Sequence, residues 1–116
     1  MANKVVHFEV CGNDGKRSQD FYASLFGWSV DASNPMQYGI VSPEQSGIGG
    51  GICKSPGKPI VTFYVEVPDL NAALKKAEQL GGKTAMTPMQ VPGGPEIAQF
   101  TDPDGNLIGL LKAGTM

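Results

Sequence analysis

This chain is written twice, and no other feature limits its possible folds so strongly. VVHFEV at 5–10 returns as TFYVEV at 62–67, LFGW at 25–28 as LGGK at 80–83, and IGGGICK at 48–54 as NLIGLLK at 106–112. Each copy follows the first by about half of the 116 residues. Two modules, about 1–57 and 58–116, therefore fill one domain with no linker between them.

Both modules run through the same elements. The first opens on a strand at about Val5–Val10, where Val6, Phe8 and Val10 alternate with His7 and Glu9. A helix is predicted over Lys16–Phe26, with Asn13 or Asp14 at its start, Gly27 at its end and an apolar face of Phe21, Tyr22, Leu25 and Phe26. Strands are predicted at Trp28–Asp31, Gln37–Val41 and Gly49–Lys54, separated by Asn34-Pro35 and Ser42-Pro43. The second module opens on Ile60–Val67. Asp69 then caps a helix, Leu70–Leu80, with a stripe of Leu70, Ala73, Leu74, Ala77 and Leu80. Strands follow at Thr84–Met86, Glu96–Thr101 and Leu107–Leu111. The class is α+β: two tandem β-α-β-β-β modules, giving eight strands and two helices.

Alternation also divides the residues between two surfaces. Val6, Phe8, Val10, Phe63, Val65 and Val67 call for a helix against them, which puts the helices outside. His7, Glu9, Thr62, Tyr64 and Glu66 share the opposite face. Two such polar faces turned toward each other enclose a concave pocket, so the expected shape is a half-open cup.

Composition removes several classes of function. With 9 basic and 11 acidic residues the net charge is −2, and Arg17 is the sole arginine, so no nucleic-acid partner is expected. No apolar run approaches the ~20 residues that cross a bilayer, and MANKVVHFEV lacks the apolar h-region expected of a secretory leader. Cys11 and Cys53 are too few for a disulfide framework and read as free thiols. A cytoplasmic protein without a membrane partner is expected.

The strings VVHFEV, RSQDFYASLFGW, YGIV and GGGI, then TFYVEV, DLNAALKKAEQLGG and AQFTDPDGNLIGLL, resemble the vicinal oxygen chelate superfamily along essentially the whole chain. That superfamily includes glyoxalase I, the bleomycin-resistance proteins and the extradiol dioxygenases. The resemblance implies the eight-stranded cup, a homodimer, and in metal-dependent members four groups around a divalent ion. Carried over by position, those groups fall on His7, Gly51, Tyr64 and Gly109. Only His7 matches. Glycine offers no donor, and a phenol stays protonated near neutral pH. The resemblance also sets Tyr38 and Gln99 on strands that line the cup.

The candidate ligand-binding residues are thus His7, Tyr64, Tyr38, Gln99, Glu9 and Glu66, with no cofactor and a divalent metal as the alternative. His7 is the one candidate catalytic group, and Tyr64 fills space where a metal would sit. The expected function is to bind a small, partly apolar molecule without the superfamily's catalytic metal. One alternative is a metal-dependent lyase, isomerase or dioxygenase related to glyoxalase I. Another is a metal-free enzyme with His7 as base.

Overall fold

Asp14 and Asp69 start the two long helices, each through a carboxylate that accepts a backbone N–H. Asp14 takes that of Arg17 at 3.1 Å and Asp69 that of Ala72 at 3.0 Å. The computed structural model describes residues 2–116. Its elements run β1 (Val5–Gly12), α1 (Gly15–Phe26), β2 (Gly39–Val41), α2 (Pro43–Ser46), β3 (Gly50–Lys54), β4 (Ile60–Val67), α3 (Leu70–Gln79), β5 (Lys83–Gln90), β6 (Glu96–Thr101) and β7 (Leu107–Lys112). Residues 6–62 form one unit, and residues 2–5 with 63–116 form the other.

In the unit of residues 6–62 the strand order is β2-β3-β1. β3 runs parallel to β1, with Glu9 opposite Gly51 and Cys11 opposite Cys53, and β2 runs antiparallel to β3. Cys11, Val41 and Ile52 are buried. In the other unit the order is β4-β7-β6-β5, with β4 parallel to β7 and the remaining pairs antiparallel. Val67, Leu70, Leu74, Ala98 and Leu110 form its core. In both units the first strand pairs parallel with the last, so the sequence repeat is a repeat of structure.

Three expectations need correction. Seven strands, not eight, form among the described residues. Trp28–Asp31 contributes only an isolated bridge between Asp31 and Ile40. The Gln45 side chain takes both backbone groups of Ser29, accepting from its N–H at 2.6 Å and donating to its carbonyl at 3.1 Å. A side-chain amide thus occupies the place of a ladder partner.

The described residues also hold three helices rather than two. The added turn, α2, begins at Ser42-Pro43, where proline is tolerated because the first helical N–H needs no partner. The third correction concerns α1, whose buried residue is Gln19. Phe21, Leu25 and Phe26 are 58%, 59% and 55% exposed.

Two smaller differences follow the same line. Leu80, expected in the α3 stripe, lies beyond the helix and is exposed, as is Phe63. Thr62 and Tyr64, expected on a polar open face, are buried.

Candidate functional site

Alternation on β1 places His7, Glu9 and Cys11 on one face, and in-register pairing puts Gly51 and Cys53 of β3 beside them. Tyr38 arrives from the loop before β2. Asn34 holds its backbone from both sides, accepting its N–H at 2.9 Å and donating to its carbonyl at 2.8 Å. Gln37 just before it takes a left-handed conformation at φ 53°, which turns the chain into the strand.

The Tyr38 hydroxyl then bridges two side chains. It donates to Glu9 Oε2 at 2.9 Å and lies 2.8 Å from His7 Nε2. A phenol has one proton, and here Glu9 receives it, so the His7 bond requires the proton on Nε2. The direction of the chain is set: imidazole to phenol to carboxylate. Burial holds the His7 imidazole below its ordinary titration range, against the opposing pull of Glu9. The histidine is therefore neutral near pH 7.

The second Glu9 oxygen, Oε1, accepts from Cys11 Sγ at 3.6 Å, and Cys11 Sγ lies 2.8 Å from Cys53 Sγ. The contact between the sulfurs pushes the Cys11 thiol up and the Cys53 thiol down, and burial raises Cys11 further.

Glycine gives this face its shape. A Cβ built on Gly51 lands on the hydroxyl and ring of Tyr38. The other unit repeats the device: a Cβ on Gly109 lands on the ring of Tyr64, which lies opposite it on β4. The Tyr64 hydroxyl accepts from Gln99 Nε2 at 3.1 Å.

Of the sequence candidates, the structure brings His7, Glu9 and Tyr38 together in one unit and Tyr64 with Gln99 in the other. Glu66, two residues beyond Tyr64 on β4, joins neither cluster. Sequence reasoning missed Asn34 and the pairing of Cys11 with Cys53. The parity that grouped His7 with Glu9 extends to Cys11, and that signal was in the sequence.

The superfamily's metal does not fit the residues at its four positions. Gly51 and Gly109 supply no donor atom, and a tyrosine ring stands where each missing ligand side chain would be. A catalytic divalent site needs about three protein ligands and an open position. A cleft of about 590 Å³ lies elsewhere, in the unit of residues 63–116 beneath α3. Val65, Val67, Ala73, Phe100 and Leu110 line it. It lacks a hydrogen-bonded chain of polar side chains, so the β1–β3 face is the better candidate.

Comparison with known proteins supports a family assignment. The sequence profile of the Glyoxalase/Bleomycin resistance protein/Dioxygenase superfamily matches residues 4–110. The chain is 30% identical over 128 aligned positions to the anthracycline biosynthesis protein DnrV of Streptomyces peucetius, covering 94% of this chain and 46% of DnrV. It spans about half the length of the curated relatives it matches.

Two crystal structures share its fold. A superfamily member from Vibrio splendidus 12B01 matches with TM-score 0.62 at 19% identity, over 96% of this chain and 98% of that one. Methylmalonyl-CoA epimerase from Mycobacterium tuberculosis matches with TM-score 0.66 at 14% identity, over 93% and 86%.

Proposed function

Because the chain belongs to the Glyoxalase/Bleomycin resistance protein/Dioxygenase superfamily, we propose that it binds a small, partly apolar, oxygen-bearing molecule without that superfamily's catalytic metal. The ligand lies against the His7–Tyr38–Glu9 face. The observation that carries this reading is the oriented chain from His7 through the Tyr38 hydroxyl to Glu9, over a glycine whose side-chain space the tyrosine takes.

Such a face recognises oxygen by hydrogen bonding and holds the adjoining carbon skeleton by contact with rings. Glu9 fixes the phenol, the phenol fixes the imidazole, and Asn34 fixes the backbone that bears the phenol. A site held this way loses little freedom on binding. The relative named for anthracycline biosynthesis supports this ligand class, and an anthracycline is the first probe. Binding measured by equilibrium dialysis is expected to weaken about tenfold in Tyr38→Phe, the equivalent of one hydrogen bond of about 1.4 kcal/mol.

The same geometry favours a second reading, a metal-free enzyme in which His7 accepts a proton from the ligand and Tyr38 and Glu9 stabilise the imidazolium. Exchange of ligand hydrogen for solvent deuterium, abolished in His7→Ala, separates catalysis from binding. The proposal also takes the chain as a cytoplasmic homodimer without nucleic-acid or membrane partners. Sedimentation equilibrium tests the dimer. Among the described residues no helix is long and apolar enough to cross a membrane.

A further inference from the structure

We propose that Glu9, Cys11 and Cys53 form a site for one thiophilic divalent cation of the zinc class, held by two thiolates and one carboxylate. The site is separate from the four positions of the superfamily's metal, since none of its donors is among them.

Three observations build it. Glu9 and Cys11 are two apart on β1, so both side chains leave the same face, and Cys53 stands in register opposite Cys11 on the parallel strand β3. Their donor atoms all lie within 4.8 Å of one another. The pairing of the two strands fixes the backbone that bears the donors.

One separation already suits a tetrahedral ion, and another must open. With zinc–sulfur and zinc–oxygen bonds of about 2.3 and 2.0 Å, ligand sulfur and oxygen sit about 3.5 Å apart and two ligand sulfurs about 3.8 Å apart. Glu9 Oε1 and Cys11 Sγ are already at 3.6 Å. The two sulfurs, at 2.8 Å, must open by about 1 Å. Cys53 is only half-buried and can supply that movement by turning about its Cα–Cβ bond.

The supporting contacts are also present. Tyr38 occupies Glu9 Oε2, which orients the carboxylate and directs Oε1 toward the sulfurs. Hydrogen bonds of this kind orient metal ligands and strengthen their hold. Two soft sulfurs with one carboxylate select zinc over magnesium or calcium, which prefer all-oxygen sites. Loading is an exchange of protons for metal: the ion forms two metal–sulfur bonds, both thiol protons pass to solvent, and no electron moves.

The test is cobalt(II) titration of the phosphine-reduced 116-residue chain under nitrogen, followed by absorption. The expected result is an intense thiolate-to-cobalt charge-transfer band that saturates at one ion per chain and is displaced by zinc. The band is lost in Cys11→Ser and in Cys53→Ser, with folding checked by circular dichroism. Glu9→Gln keeps a weaker band and lowers affinity at least tenfold. The proposal is overturned if the reduced chain gives no charge-transfer band, if the band survives Cys53→Ser unchanged, or if Glu9→Gln leaves affinity unaltered. The readout is the metal's own spectrum, so it stands or fails independently of anthracycline binding.

Discussion

The ring of Tyr38 occupies the volume that a side chain at Gly51 would need. Placing a carboxylate there is therefore an overpacking problem before it is a chemical one. Gly51→Glu is expected to lower stability by at least about 1–3 kcal/mol. Adding Tyr38→Ala to the same chain should recover part of that loss by emptying the contested space. Urea unfolding midpoints of the single and double variants measure the coupling. Equal losses in both would show that the ring is not the obstacle.

Gln19 and Phe21 exchange the roles that their residue types suggest. Gln19 is buried on α1 and donates to the carbonyls of Ile52 at 2.8 Å and Gln37 at 3.0 Å. Gln19→Leu removes both donors from a buried position and should cost about 1–3 kcal/mol. Phe21→Ser on the same helix changes an exposed position and should stay within about 0.5 kcal/mol. Chemical denaturation of the two variants gives the order directly.

Asn34 acts on the site through the backbone of Tyr38. Its two hydrogen bonds hold the backbone of Tyr38. Asn34→Ala should loosen the phenol and weaken anthracycline binding by about 3- to 10-fold, at about 0.5–1.5 kcal/mol for each net hydrogen bond. Equilibrium dialysis beside the Tyr38→Phe variant checks this, and unchanged affinity would argue against a positioning role.

The turn at Asp102 provides a pH dependence. The Asn106 side chain and backbone, with the backbone of Asp104 and Gly105, hold the Asp102 carboxyl below its usual range. A carboxylate whose folded pKa is depressed adds stability that is fully present above the unfolded value of about 3.9. That contribution disappears as pH falls through the folded value. Asp102→Ala should therefore be less stable than the parent at neutral pH, with the difference shrinking in acid. Thermal unfolding from neutral pH down to about pH 2 measures it.

Much of this fold can be read from the chain because its signals are local. Asp14 and Gly27 around α1, Asp69 before α3, and the alternation in VVHFEV and TFYVEV each act within a few residues. The strand expected at Trp28–Asp31 was not legible for the opposite reason. What displaces its pairing is Gln45, a side chain more than ten residues away that reaches back to Ser29. Parity grouped His7 with Glu9, but Tyr38 comes from a loop whose course depends on Asn34 and the left-handed Gln37. The contact between Cys11 and Cys53 needs the β1–β3 register, which alternation within a single strand does not supply.

Equilibrium dialysis of an anthracycline against chelator-treated protein, run in parallel on Tyr38→Phe and His7→Ala, tests the functional account most directly. The account predicts saturable binding by the metal-stripped parent chain and a loss of about tenfold in Tyr38→Phe. Absence of binding, binding that vanishes with chelation, or binding indifferent to both substitutions would contradict it.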